Sequence, residues 1–236
     1  MSEILISTFV WSKKIRVFHW LNALSILTLI VLGLFILNAK TFGVSTDGKI
    51  LLKTIHTLAG YVFVTNLFIR ALFGFIGKGY EKWGKTLAFN KGFIAELKRH
   101  SSEPLKASKG HNPFGKLMIT ALYLFMLIQG ITGLVIAGTD IYYPPFGQHF
   151  ATSIAIDKNQ VELIKPYSKD NVDEQAYKAM RELRTPFIKT HVFSFYVLTS
   201  LLLLHILAVI IMELKTRNSI ISAMFSGYKH LPKDKE

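Results

Sequence analysis

Four histidines lie in or beside long apolar segments of the chain, where an imidazole is costly unless it has a function. They are His19, His56, His191 and His205. The last two lie fourteen residues apart in the nearly apolar run KTHVFSFYVLTSLLLLHI. Fourteen residues are close to four helical turns, so the two rings share one face, about 21 Å apart along the axis. Imidazoles in such a place bind a metal or haem iron, or carry protons.

The segments that contain these histidines are long enough to cross a membrane, which takes roughly 20 apolar residues. The chain has 236 residues, of which 50% are hydrophobic and 18% charged, with a mean hydropathy of +0.34. This composition is typical of a membrane protein. We predict an all-α integral membrane four-helix bundle, formed by one domain over residues 1–236, with spans at 17–37, 55–76, 117–137 and 192–212.

The distribution of the net charge of +13 predicts the topology. Residues 1–16, 77–116 and 213–236 have an excess of Lys and Arg, whereas residues 138–190 contain seven basic and seven acidic side chains. The positive-inside rule places both termini and the 77–116 connection in the cytoplasm. The 38–54 and 138–190 connections then lie on the periplasmic side of a bacterial inner membrane. The basic charge is explained by topology and lipid headgroups rather than by nucleic acid.

Some connecting segments also carry structural signals. The stretch LAFNKGFIAELKRH, residues 87–100, has amphipathic spacing and predicts a short helix on the membrane surface. Residues 172–183 of the long outer connection are compatible with another helix. Asn112 and Pro113 suit the cap and first turn of the third span. That span contains QGITG near its outer end, and the turn-like GVSTDGK precedes the second span.

The predicted topology sorts the four histidines into two depths. His56 and His191 lie at the outer level on the second and fourth spans, and His19 and His205 lie at the inner level on the first and fourth. One imidazole from each of two facing helices is the ligand set of a low-spin haem b. Two such haems form a path for electrons across the membrane. A proton relay or a structural role is the alternative, although the four spans contain no Asp or Glu.

The chain contains no cysteine, which excludes disulfides, Cys-ligated iron–sulfur clusters and haem attached through C-x-x-C-H. Other residues fit a haem protein. Arg70 follows His56 by fourteen residues, so it lies at the inner level and suits a haem propionate, the alternative being snorkelling to the interface. Four glycines at the outer level allow a flat macrocycle to approach, or serve helix packing. They are Gly33, Gly60, Gly130 and Gly133.

The chain resembles the family of bacterial cytochrome b561 and nickel–iron hydrogenase b-type cytochromes, which are four-helix diheme membrane proteins. The segments that carry the resemblance are RVFHWLNA, KTIHTLAGYVF with IRALFGFIG, GHNPFGKLM, the His191–His205 pair and SAMFSGYKH. The resemblance implies that His19, His56, His191 and His205 are the axial ligands of two haem b groups. It also implies electron transfer between an external redox partner and the quinone pool. The 138–190 loop is longer than expected for the hydrogenase subunit.

A quinone site needs hydrogen-bond donors at the edge of the membrane. Candidates on the inner side are Lys14, Arg16, His111 and Asn112, although His111 also suits a helix-start cap. The function predicted first is a diheme cytochrome that connects a periplasmic c-type cytochrome or oxidoreductase, such as a hydrogenase, to quinone.

Two other functions compete with this prediction. A stand-alone quinone-linked oxidoreductase, such as a superoxide oxidase, is the main alternative, since Lys53 or Lys189 suits an anionic substrate. A membrane anchor without a cofactor is the third possibility.

Overall fold

The fold consists mainly of helices. The computed structural model describes residues 5–89, 91–102 and 108–232. Within these residues, eight α-helices follow one another: α1 (Lys13–Leu37), α2 (Thr46–Ile76), α3 (Trp83–Thr86), α4 (Phe93–Ser102), α5 (Pro113–Asp140), α6 (Gly147–Ile154), α7 (Glu174–Thr216) and α8 (Ile220–Ser226). In the described part of the chain, α1, α2, α5 and α7 are long and apolar enough to cross a membrane. The four predicted spans are therefore confirmed.

Each of the four spans exposes large apolar side chains, as the lipid-facing side of a membrane helix does. Leu24, Phe68 and Leu203 are 65%, 62% and 64% exposed. Exposure of apolar side chains to water is unfavourable, whereas their contact with lipid tails carries no such free-energy cost. This exposure is consistent with a multi-pass membrane protein.

All four helices begin before the predicted spans, and α2 and α7 begin the furthest before them. α2 starts at Thr46 because the Ser45 hydroxyl accepts a hydrogen bond from the Gly48 amide at 3.1 Å, so part of the predicted turn is helical. α7 starts at Glu174, where the Asp173 carboxylate caps the Ala176 amide at 2.8 Å. The helix predicted at 172–183 is thus the first part of a continuous 43-residue helix.

The third span and the surface helix agree with the sequence. α5 begins at Pro113, and the Asn112 side chain accepts a hydrogen bond from the Gly115 amide at 2.7 Å. The amphipathic helix predicted at 87–100 is α4, although it begins at Phe93. Lys116 of α5 forms a salt bridge with Glu96 of α4 at 3.3 Å.

The chain also contains a strand pair that the sequence analysis did not predict. β1 (Leu5–Phe9) and β2 (Tyr228–Pro232) are antiparallel, with Leu5 opposite Pro232 and Phe9 opposite Tyr228. Apart from this strand pair, the described residues form helices and connections, and the predicted all-α fold class is confirmed.

The chain divides into two compact units, and every span contributes to both. The first unit consists of Met1–Asn22, Asn66–Leu124 and Leu198–Glu236, and the second consists of Ala23–Thr65 and Phe125–Val197. A small core in the first unit contains Val10, Trp11 and Ala223. The second unit includes the 138–190 connection, which folds around a core of its own: Ala151, Ile154, Ile164, Val172 and Met180.

Candidate functional site

His56 of α2 and His191 of α7, the pair predicted at the outer level, face each other in the second unit. Their ring centres are 6.4 Å apart and the ring planes form an angle of 71°. Imidazole nitrogens bind metal ions at about 2.0–2.1 Å, so two rings on opposite sides of one ion have centres roughly 6 Å apart. The observed distance has the size that one shared metal ion requires.

Two of the four predicted glycines lie against these rings. A Cβ at Gly33 would be 3.6 Å from Cε1 of His56, and one at Gly133 would be 3.4 Å from Cε1 of His191. A Cβ at Gly60 would project into open space, whereas one at Gly130 would meet Val64 at 3.2 Å. Gly33 and Gly133 thus border the two histidine rings, Gly60 has open space beside it, and Gly130 packs against Val64 of α2.

α5 contributes two hydrogen bonds to His191 that the sequence analysis did not predict. The Thr132 hydroxyl oxygen lies 2.8 Å from Nδ1 of His191, and the Gln129 side-chain amide donates to the His191 carbonyl at 3.0 Å. Both residues belong to the QGITG motif. Polar side chains in an otherwise apolar span were the available signal.

The second predicted pair, His19 of α1 and His205 of α7, belongs to the first unit. The two side chains lie within range of an electrostatic interaction. The His19 ring also packs edge-on against Trp20, with ring centres 5.1 Å apart.

These residues fit a haem. Among the described residues, the buried Nδ1 atoms of His19 and His56 have no hydrogen-bond partner, and the neutral ring is the form of imidazole that ligates iron. Within the described residues, no three His, Asp or Glu side chains come together as a metal site built from protein alone. A haem iron already has four porphyrin nitrogens and needs only two further ligands. A pair of facing histidines has the chemistry of these two ligands.

Arg70 is enclosed in the first unit rather than extended to the surface. It is 2% exposed, and its guanidinium lies 4.3 Å from the Trp83 ring, with Phe18 and Tyr123 at 5.9 and 5.8 Å. Its Nη1 donates to the Glu81 carbonyl at 3.0 Å. A buried guanidinium in an aromatic box retains donors for an anion.

The Glu81 side chain adds a negative charge to the same unit. The pKa of Glu81 is lowered, mainly because the Ser12 hydroxyl donates to its carboxylate at 2.5 Å. The Lys78 amide and the charges of Lys14 and Arg70 lower it further. Glu81 is therefore ionised at neutral pH and offsets part of the positive charge around Arg70.

The four residues predicted for a quinone site make contacts with four different groups. Lys14 lies over the Phe73 ring at 4.7 Å, and Arg16 donates to the Phe225 carbonyl. Asn112 caps α5, so the alternative in which His111 supplies this cap is wrong. His111 instead packs against Trp11, with ring centres 4.8 Å apart. Among the described residues, these contacts of the four side chains therefore involve separate partners.

His111 and Lys229 lie on the ring of Trp11 in the first unit. Lys229 is 5% exposed, lies 5.5 Å from the Trp11 ring and donates to the carbonyls of Ser108 and Gly110, each at 3.1 Å. Burial lowers the pKa of Lys229 to about 8. Burial, assisted by the positive charge of Lys229, lowers the pKa of His111 to about 3. His111 is thus neutral, and its buried Nδ1 has no hydrogen-bond partner among the residues that the structure describes.

A network of charged side chains links α2, α5 and α7 in the second unit. The Asp140 carboxylate accepts hydrogen bonds from Lys53 and, at 2.7 Å, from Arg184, which also donates to the Thr139 carbonyl at 3.0 Å. Lys53 also donates to the Tyr167 hydroxyl. Two cations thus meet one carboxylate here, and Lys53 is not a free surface charge.

Comparison with known proteins identifies the family of this chain. The family described as prokaryotic cytochrome b561 matches residues 10–227. A probable Ni/Fe-hydrogenase B-type cytochrome subunit of Rhodobacter capsulatus is 28% identical, over 97% of this chain and 84% of the relative. The protein of the same description from Rhizobium leguminosarum bv. viciae is 27% identical, over 98% and 91% of the two chains.

A probable Ni/Fe-hydrogenase 1 B-type cytochrome subunit of Escherichia coli (strain K12) is 27% identical, over 61% of this chain and 66% of the relative. No solved structure matches this chain. The family match covers all four spans. The chain therefore belongs to the prokaryotic cytochrome b561 family and is a membrane-spanning b-type cytochrome that transfers electrons through haem b.

Proposed function

We propose that this cytochrome holds two haem b groups and carries electrons across the bacterial inner membrane between a periplasmic redox partner and the quinone pool. The facing rings of His56 and His191, with centres 6.4 Å apart, are the observation that carries the proposal. The second haem is assigned to His19 and His205, which share the first unit.

The chain supplies ligands, space and electrostatics, and each bound haem supplies a one-electron carrier. α7 provides one ligand to each pair, whereas α2 provides His56 and α1 provides His19. Gly33, Gly60 and Gly133 leave room beside the first pair. Arg70 is proposed to bind a propionate of the second haem, because its guanidinium is buried and carries a positive charge and five donors that suit a carboxylate.

The partners follow from the predicted topology and from the relatives. Three relatives are named as hydrogenase subunits, so an oxidoreductase of the hydrogenase type or a c-type cytochrome is the proposed periplasmic partner. The folded 138–190 connection offers it a surface. Quinone is proposed to bind near His111, whose free Nδ1 can form a hydrogen bond with a quinone oxygen. Lys14, Arg16 and Asn112 are the other proposed contributors.

Proteoliposomes test transmembrane electron transfer directly. Vesicles containing the protein and an enclosed ferricyanide pool receive a membrane-impermeant reductant outside. We expect the enclosed ferricyanide to be reduced by wild-type protein and not by His56→Ala or His205→Ala. Equal rates in empty vesicles and wild-type vesicles would show that the protein does not conduct electrons across the membrane.

A superoxide-oxidising enzyme is the second candidate, because the two positive charges of Lys53 and Arg184 exceed the single negative charge of Asp140. This excess of positive charge would attract an anion. The isolated protein, supplied with superoxide and quinone, would then reduce quinone without any partner protein. Absence of this turnover in a preparation that contains haem rules out the second candidate and leaves the first intact.

A further inference from the structure

Thr132 is a buried residue of α5, 6% exposed, whose hydroxyl oxygen lies near three polar atoms, the most distant being the Gln129 carbonyl oxygen at 3.3 Å. Its oxygen is 2.7 Å from the Ile128 carbonyl in the preceding helical turn and 2.8 Å from Nδ1 of His191. A hydroxyl has one hydrogen to donate and two lone pairs that accept. Because a carbonyl only accepts, the hydrogen that points to Ile128 leaves the oxygen as an acceptor for His191.

The proton on the His191 ring then has a defined position. If Nδ1 donates to Thr132, the neutral ring carries its hydrogen on Nδ1 and exposes a lone pair on Nε2. This is the tautomer that ligates iron through Nε2. We infer that Thr132 is the positioning residue that sets the tautomer, orientation and basicity of His191, an inference that rests on the proposed role of His191 as a haem ligand.

The backbone of His191 is held by the same turn of α5. The Gln129 side chain donates to the His191 carbonyl at 3.0 Å, and Gly133 leaves the ring its space, since a Cβ there would lie 3.4 Å from Cε1. The QGITG motif therefore contacts the carbonyl, Nδ1 and the edge of the ring. α5 contains none of the proposed ligands, but it fixes one of them.

The two proposed ligands of this haem are consequently unequal. Within the described part of the chain, the buried Nδ1 of His56 has no hydrogen-bond partner, whereas Nδ1 of His191 has one. A hydrogen bond accepted from the ring N–H makes the ligating nitrogen more basic. A more basic ligand favours ferric over ferrous iron, so Thr132 lowers the reduction potential of the haem at His56 and His191.

Potentiometric titration of purified protein in detergent tests this inference with three variants. Thr132→Val removes the hydroxyl at nearly constant volume, and Thr132→Ser retains it. Thr139→Val is the matched control, because Thr139 is also buried and makes the same back-bonds, 2.8 Å to Val135 and 3.3 Å to Ile136. Its hydroxyl does not contact a histidine in the structure.

We expect Thr132→Val to keep both haems and to raise the midpoint potential of one of them. If the substitution changes the ratio of ferric to ferrous binding tenfold, the midpoint potential shifts by about 59 mV for a one-electron couple. Thr132→Ser and Thr139→Val should leave that potential unchanged. Equal potentials in Thr132→Val and Thr139→Val would overturn the inference. The inference would also be overturned if both Thr132→Val and Thr132→Ser lost this haem, because the serine variant retains the hydroxyl.

A fourth sample separates failure of this inference from failure of the proposed function. His56→Ala should remove one of the two redox transitions and thereby identify the one that Thr132 influences. If His56→Ala retains both transitions, the ligand assignment is wrong. If it removes one, and Thr132→Val does not shift that one, the ligands stand and the role of Thr132 is wrong.

Discussion

Replacement of Asp140 by asparagine removes the negative charge that links α2, α5 and α7 through salt bridges. The carboxylate accepts from Lys53 and Arg184, and the three side chains are only 13%, 24% and 12% exposed. A hydrogen bond to a charged group contributes about 1.5–3 kcal/mol, and solvent at these partly exposed side chains favours the lower value. With two such bonds weakened, we expect the free energy of unfolding to fall by about 3 kcal/mol.

Thermal unfolding in detergent, followed by circular dichroism, measures this loss. For a chain of this size, 1 kcal/mol lowers the melting temperature by roughly 2–4 °C, so the expected shift is roughly 6–12 °C. Glu182→Gln is the matched control, because it removes one negative charge from an exposed position of α7. A shift for Asp140→Asn no larger than that for Glu182→Gln would refute the reasoning about the network.

Three further predictions concern the first unit. The lowered pKa of Lys229, about 8 against an ordinary 10.5, means that the folded state binds fewer protons between these values than the unfolded state. Wild-type stability should therefore rise by up to about 3 kcal/mol from pH 8 to 10.5, and equilibrium unfolding of Lys229→Met should lack this rise. Gly74→Ala would place a Cβ 1.9 Å from the Trp83 ring. It should lower the melting temperature by an amount equivalent to about 1–3 kcal/mol. Gly84→Ala is the control and should change the melting temperature little, because a Cβ there would have open space around it. Arg70→Gln should lower the midpoint potential of the haem at His19 and His205 in a redox titration, because a nearby positive charge favours the reduced state; an unchanged potential would contradict the proposed role.

The spans and the histidine pairing could be predicted from the sequence because each rests on a strong local signal. Apolar runs of about 20 residues have few alternatives to a membrane helix. Histidines in such runs are rare, and their depth follows from the distribution of Lys and Arg. His56 and His191 could therefore be paired from the sequence alone. The facing rings in the second unit confirm that the two side chains are close to each other.

The contacts that depend on rotation of one helix against another could not be predicted in this way. Thr132 reaches His191 because of how α5 and α7 pack, and a lone threonine in a span more often bonds only to its own helix. Arg70 has Trp83 as its closest aromatic neighbour, thirteen residues later in the chain. The pairing of β1 with β2 joins residues more than 200 positions apart, for which local sequence patterns carry no signal. A helix was predicted at 172–183, but not its continuity with the fourth span, because Pro186 lies between the two segments and proline usually ends or kinks a helix.

Haem content of the four histidine variants tests the central claim most directly. Wild-type protein and the alanine variants of His19, His56, His191 and His205 are purified, and haem b per chain is measured by reduced-minus-oxidised difference spectra. We predict two low-spin haems in the wild type, loss of the same haem from His56→Ala and His191→Ala, and loss of the other from His19→Ala and His205→Ala. A variant that keeps two low-spin haems, or loss of different haems from His56→Ala and His191→Ala, would contradict the assignment of the ligand pairs.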